Sequence, residues 1–540
     1  MNTQNDLKKS SFRDLLLNPF GRFLPLFILL FLLSTTAGVL FSLMAHDVKM
    51  ALLHIAHGVI LAYLLTFIIG LFPWKGVRTA LAALVILPLA ILLYTDIVCI
   101  LEFHSDFSAD FIAILLGTDP SESAEFIGLH LNGFIAGFLI LVAYLAAYFI
   151  GKKHRAHLPS PWNWALLAVV AGCVLVLLVK PQAAERIIKE KSIEGKLAAF
   201  FSYAGSIPPD YTAFVFPADL ETVRDRQPEN IVIIFGESQC RSHCQFNGYD
   251  KVTMPRVQAL IDSGRVATFD KVTSPGINTV ESFKSMMGTY KPEMGDEVKF
   301  YTCQTLPQTI RDAGYRSSWI SNQSGTGLFN NIIANFAALC DTSIFIGDKF
   351  KGNMVANLDG DLLPVARDYV GKNAPGKNFY VFHLMGSHPN FADRYPADFA
   401  HFKAEDYPER PASQRPVFAE YDNSILYTDY IVSELIQLFR DKEAIVIYLA
   451  DHALDFYFTR DDYFSHALAS VPESVGPASE VPFFIYTSER YEEQFPDVCE
   501  RIAASRQKDY RTDALIYTVM DIAGVQFKDK SEINGTSILE

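Results

Sequence analysis

The 540-residue chain has no excess of basic residues: 46 Lys and Arg stand against 60 Asp and Glu, a formal net charge of −14. With no basic stripe to offset that balance, a nucleic-acid partner is argued against, and an acidic, soluble surface accounts for the charge. Cysteine is scarce, seven in all, and the spacing names no disulfide framework. Cys99 and Cys173 fall inside apolar runs, which leaves Cys240, Cys244, Cys303, Cys340 and Cys499, an odd number. An oxidising compartment would permit a pair such as Cys303 with Cys340, and buried free thiols are the alternative. Internal repeats and low-complexity tracts are absent, so nothing suggests a solenoid. No small-residue cleavage site follows the first apolar run, which therefore reads as an anchor rather than a removed signal peptide.

What is present divides the chain in two. Apolar runs dominate Phe20–Met44, Met50–Phe72, Val77–Ile100, Leu131–Gly151 and Trp162–Val179. Each is long enough to cross about 30 Å of hydrocarbon, which needs roughly 20 helical residues. Lys8, Lys9, Arg13 and Arg22 precede the first run, Lys75 and Arg78 separate the second from the third, and Lys152, Lys153 and Arg155 the fourth from the fifth. The other two loops carry only Lys49. By the positive-inside rule the N-terminus is cytoplasmic, and five spans deliver everything after Lys180 to the opposite face, periplasmic or extracellular in a bacterium. The expected division is a transmembrane anchor over 1–180, an interfacial helix (Ala183–Phe201) and linker over 181–227, and a soluble domain over 228–540.

In the soluble domain, short apolar runs at Ile231–Phe235, Ser317–Ile320, Phe379–Leu384, Ala444–Leu449 and Pro482–Tyr486 alternate with amphipathic stretches. Continuous apolarity suits strands buried on both faces, so a mostly parallel α/β sheet covered by helices is expected. Function in such sheets gathers at the C-terminal strand ends. There the runs end in Gly236-Glu237-Ser238, Ala450-Asp451-His452 and Met385-Gly386-Ser387-His388. An Asp-His pair after one strand is often only a helix cap. Two carboxylates and two imidazoles at one sheet edge, however, make a divalent-metal site, and mixed oxygen and nitrogen donors favour zinc.

Asn230–Tyr249 (NIVIIFGESQCRSHCQFNGY) resembles the opening strand and metal loop of the phosphoethanolamine transferases, a family of the alkaline phosphatase and sulfatase superfamily that includes the colistin-resistance enzymes. The likeness continues in family order through Phe269–Met286, His383–His388 (HLMGSH), Tyr421–Val432 (YDNSILYTDYIV) and Tyr448–His452, and with a similar five-span anchor it covers nearly the whole chain. The resemblance implies that Glu237, Thr279, Asp451 and His452 ligate zinc, and that Thr279 is also the nucleophile. It implies substrate-binding, further-metal or proton-transfer roles for His388 and His466, and phosphoryl contacts for Asn322 and Ser324. Thr118 and Glu122, in the loop after the third span, match a segment associated with the lipid donor; a capped helix is the plainer reading of the same residues.

The implied reaction moves phosphoethanolamine from phosphatidylethanolamine to an envelope glycolipid or glycan, lipid A or a core sugar, through a phospho-threonine, in a multi-pass protein of the bacterial inner membrane. Departures exist. Pro275 and Ser285 replace two cysteines that bracket the nucleophile in the lipid A branch, which implies a lost disulfide rather than a broken site. Gly327 and Ile114 replace a lysine and an asparagine, which puts the acceptor in doubt. A sulfatase would need Cys or Ser in a C/S-x-P-x-R context, which Thr279-Val-Glu-Ser-Phe lacks. A glycerol-phosphate transferase of the lipoteichoic acid synthase type is a closer rival. A catalytically inactive scaffold is disfavoured because it has no need to keep charges together.

Overall fold

The computed structural model describes residues 16–103, 105, 107, 111, 126–128, 130–154, 158, 160–179, 181–182, 195–196, 216–295, 298–325, 332–347, 358–372, 375–459, 464–465, 472–529, 531 and 535–540. These gather into two compact units, one holding the described residues up to Lys196 and the other those from Phe216 onward.

The N-terminal unit comprises α1 (Leu24–Met44), α2 (Val48–Leu71), α3 (Lys75–Phe103), α4 (Leu131–Lys153) and α5 (Ser160–Val179). All five are long and apolar enough to cross a membrane. Large side chains such as Leu84, Leu87, Phe138 and Leu178 are more than half exposed. Surfaces of that kind need hydrocarbon around them, as in a multi-pass membrane protein. Asp47 caps α2 by accepting from Met50 N at 2.9 Å. The first two helices approach closely because glycine leaves room: a Cβ on Gly58 would lie 2.0 Å from Thr35 Cγ2. Asp96, buried in α3, accepts from Phe107 N at 2.9 Å and pairs with Lys196, so its charge is not left unmatched. The interfacial helix expected over Ala183–Phe201 lies outside the described residues except for Gly195 and Lys196.

The second unit is built on seven strands: β1 (Asn230–Gly236), β2 (Val266–Phe269), β3 (Arg316–Ser321), β4 (Thr342–Phe345), β5 (Asn378–His383), β6 (Ala444–Ala450) and β7 (Phe483–Thr487). Their order across the sheet is β2-β7-β6-β1-β5-β3-β4. β1 pairs in parallel with β5 and β6, and β3 with β4 and β5. β7 runs against both its neighbours, so the sheet is mostly parallel with one reversed strand near its edge. Every residue of β1 and β6 is buried, which explains their unbroken apolarity in the sequence. β2 and β4 gave no such signal. Each has only four residues, and β4, at the edge, is largely part-exposed.

The 23-residue helix α7 (Arg415–Gln437) carries the YDN segment, and its polar side chains pin the loop that follows β1. Tyr421 Oη donates to Ser238 O at 2.9 Å and accepts from Cys240 N at 2.7 Å. Asp422 is fully buried and accepts from His243 Nδ1 at 2.7 Å, Tyr249 Oη at 2.7 Å and Tyr407 Oη at 2.5 Å. Asp429 accepts from Arg256 N and Val257 N, capping the helix Pro255–Asp262. Replacing Asp422 with Ala strands three donors, His243 and Tyr407 buried and Tyr249 part-buried, so Asp422→Ala should destabilise the soluble unit by about 3 kcal/mol. Its thermal unfolding midpoint measures this, and an unchanged midpoint would show that the three donors find water instead.

The possible Cys303–Cys340 pair is not formed: all seven cysteines are thiols. Cys340 is buried, and burial pushes its thiol up to about 12, as it pushes Cys240 up to about 11. Thiols held protonated in this way are unreactive packing groups.

Candidate active site

Gly236 at the end of β1 is in register with Ala450 at the end of β6. The residues that follow, Glu237 on one side and Asp451-His452 on the other, therefore emerge next to each other. Exposure is 1% for Glu237 and 0% for Asp451 and His452. One donor atom from each lies within 4.8 Å of the other two. His452 Nε2 is 3.2 Å from Glu237 Oε1 and 3.5 Å from Asp451 Oδ2. Its Nδ1 lies 2.8 Å from the Ala453 carbonyl, which can only accept; Nδ1 therefore carries a proton and Nε2 faces the carboxylates.

Thr279 enters from the other side, at the first position of α6 (Thr279–Met286). Asn278 caps this helix by accepting from Glu281 N at 3.0 Å, which fixes the turn that presents Thr279. Thr279 Oγ1 lies 3.2 Å from Glu237 Oε2 and 3.4 Å from His452 Nε2. Thr279 is also the part-exposed member of the group, so a substrate can meet its hydroxyl.

Electrostatics make the cluster expectant of a cation. Burial alone would raise Glu237, but His452 beside it holds it well below the usual carboxylate range. Burial raises Asp451, and the neighbouring Glu237 adds to this. Burial would lower His452, yet Asp451 and Glu237 outweigh it and push the imidazole up to about 9. One Asp451 oxygen, Oδ1, accepts from Ser238 N and His452 N. The other, Oδ2, is buried with no hydrogen-bond partner among the described residues. An unsatisfied buried carboxylate oxygen beside a second carboxylate, an imidazole and a hydroxyl fits a divalent metal ion, with oxygen and nitrogen donors suited to zinc.

Around the cluster, His388 is part-buried in the turn after β5, and desolvation of its ring, followed by the nearby Arg394, pushes it down to about 4. Arg394 Nε donates to the His388 carbonyl at 3.1 Å, holding that turn. Asn322, after β3, donates to Asp359 Oδ1 at 2.8 Å. Ser324 is buried two residues further on. Thr118, Glu122 and His466 lie outside the described residues.

The residue between Asn322 and Ser324 reaches the cluster itself: Gln323 Nε2 donates to Glu237 Oε2 at 3.0 Å and to Leu384 O at 3.2 Å. Sequence reading missed it, because no pattern tells which of three polar residues after a strand turns inward. An outer partner that orients a metal-binding carboxylate is worth about 10- to 100-fold in metal affinity or activity. Gln323→Ala should therefore weaken metal binding by that factor in a chelator competition titration. No change would mean that Ser238, whose Oγ donates to Glu237 Oε1 at 2.8 Å, orients the carboxylate alone.

A mostly parallel sheet with a threonine hydroxyl and a carboxylate-imidazole donor set at the C-terminal ends of its strands is the plan of an α/β class of enzyme. Within it, this chain belongs to the sulfatase family, whose model matches residues 229–525. The phosphoethanolamine transferase EptC of Escherichia coli is 23% identical over 459 residues, covering 79% of this chain and 76% of the relative. Among solved structures, the integral membrane protein lipooligosaccharide phosphoethanolamine transferase A of Neisseria meningitidis shares the fold with a TM-score of 0.66 and 18% identity, over 95% of each chain. The zinc complex of the C-terminal periplasmic domain of E. coli EptC matches with a TM-score of 0.53 and 23% identity, over 60% of this chain and 90% of that domain.

Proposed function

We propose that this enzyme transfers phosphoethanolamine from phosphatidylethanolamine to a cell-envelope glycolipid or glycan, lipid A or a core sugar, by double displacement through Thr279. The observation that carries the reading is the Thr279 hydroxyl, 3.2 Å from Glu237 and 3.4 Å from His452 at the open side of the buried donor cluster. The transferase relative matching over 79% of the chain supports the choice of group.

Glu237, Asp451, His452 and Thr279 would hold a zinc ion. Bound there, it lowers the pKa of the threonine hydroxyl and offsets charge on the phosphoryl oxygens. Thr279 stands at the N-terminus of α6, where free N–H groups and the helix dipole favour an anionic phosphoryl group. Its oxygen attacks phosphorus as the bond from phosphorus to the diacylglycerol oxygen breaks; the threonine proton passes to that leaving oxygen, and phosphoethanolamine remains on Thr279. An acceptor hydroxyl then attacks the same phosphorus and frees the threonine. His388, kept neutral by desolvation of its ring, accepts a hydrogen bond from that hydroxyl, and His466 shares the proton transfer. Asn322 and Ser324 contact the phosphoryl oxygens, and Thr118 and Glu122 the donor headgroup.

In this reading residues 1–180 anchor the enzyme in the inner membrane, 181–227 link, and 228–540 work on the periplasmic side. The Lys and Arg bias of the loops supports that orientation. Mass spectrometry of envelope glycolipids tests the function. Cells carrying the chain should gain a species heavier by one phosphoethanolamine that cells without it lack, and identical profiles would refute the reading.

A further inference from the structure

We propose that Asp359 is a positioning residue for Glu237, a single buried carboxylate that ties together the two loops enclosing it. The inference rests on reading the Glu237 cluster as the metal and nucleophile site.

Asp359 is 3% exposed and opens the short turn Asp359–Asp361. That turn is tied to α7, because Gly360 N donates to Tyr427 Oη at 3.0 Å. Asp359 Oδ1 accepts from Asn322 Nδ2 and from Met385 N, each at 2.8 Å, and Oδ2 accepts from Gly386 N at 2.9 Å. The carboxylate thus joins the loop after β3 to the turn after β5.

Both segments act on Glu237. In the first, Gln323 adjoins Asn322 and donates to Glu237 Oε2. In the second, Gly386 packs so tightly that a Cβ would lie 2.7 Å from Glu237 N and 2.9 Å from its carbonyl oxygen, and its φ of +52° suits glycine. The next residue, Ser387, donates its N–H to Glu237 O at 3.0 Å. Side chain and main chain of Glu237 are therefore each set by a segment that Asp359 holds. A carboxylate suits the task because it accepts at both oxygens and donates at neither.

Asp359→Asn makes one of those acceptors a donor facing an N–H. The full-length chain in detergent micelles is titrated with zinc alone against a chelator, and kcat, KM and Tm are measured alongside. Zinc affinity and kcat should each fall about 10- to 100-fold while KM stays within about twofold. Asp429→Asn, a buried carboxylate that caps a helix by accepting two backbone N–H groups, should lower Tm but leave zinc affinity and kcat at wild-type values. If Asp359→Asn does not fold, Asn322→Ala, which cuts the carboxylate from one loop only, should weaken zinc binding by about 10-fold. Unchanged zinc affinity in the folded Asp359 or Asn322 variant would overturn the proposal, as would an equal loss in Asp429→Asn, the sign of general loosening. Wild-type protein that binds no zinc would instead reject the metal site itself. Wild-type protein that binds zinc but moves no phosphoethanolamine would reject the reaction while the zinc titrations still decide the role of Asp359.

Discussion

Thr279→Ala abolishes transfer, with a loss on the order of 10⁴-fold or more, because the reaction loses the atom that attacks phosphorus. The fold survives, since the side chain is part-exposed and Asn278, not Thr279, supplies the helix cap. Thr279→Ser keeps an oxygen on the same Cβ and retains a measurable fraction of the activity. The missing methyl lets that oxygen sample other rotamers, so the fraction stays below one. Steady-state transfer with phosphatidylethanolamine as donor separates these outcomes. Full activity in Thr279→Ala would mean that the acceptor attacks the donor directly, and the double displacement would have to be abandoned.

Asp451→Asn has the second largest effect. The amide can still accept through one oxygen from Ser238 N and His452 N, so the loop after β6 keeps its shape. What is lost is the anionic oxygen that faces the cluster. Zinc affinity should fall by more than about 100-fold, beyond the range that outer partners account for, and activity should fall in parallel. Elemental analysis of protein never exposed to chelator measures this; stoichiometric metal in the variant would remove Asp451 from the ligand set. Wild-type affinity should also depend on pH. The metal-free cluster holds a proton on His452, whose imidazole is raised to about 9, and metal binding must expel it. Affinity therefore rises by about tenfold per pH unit between about 7 and about 9, and more steeply below about 7, where Asp451, raised to about 7, must also give up a proton. In the metal-free protein the sign is opposite: the proton's contribution to stability is complete below the ordinary value of 6.5 and is lost as pH rises through about 9.

The strand ends were legible because burial on both faces leaves an unbroken apolar run, so the first polar residues after β1 and β6, Glu237 and Asp451, stand out. Their adjacency was not, since register between strands more than 200 residues apart leaves no local trace. Thr279 carries no signature of its own beyond a Pro-Gly turn and an Asn cap, and it came from the likeness to a known family. The YDN segment shows why that likeness is informative. Apart from the bond of Asp422 to Tyr407, Tyr421, Asp422 and Asp429 act through hydrogen bonds to residues 172 to 183 positions away, which composition and periodicity cannot reveal. Gln323 and Asp359 escaped for a related reason. Their chemistry depends on which way a side chain turns at a loop, and their partners lie in other loops.

Double displacement requires a covalent phosphoethanolamine on Thr279, and incubating the full-length enzyme with phosphatidylethanolamine in the absence of acceptor should trap it. Intact mass should shift by one phosphoethanolamine, and tandem spectrometry should locate the adduct on Thr279 within the peptide Ser274–Met286, with no adduct in Thr279→Ala. An adduct on Thr273 or Ser282, or transfer to a later-added acceptor by enzyme that never carries one, would contradict it.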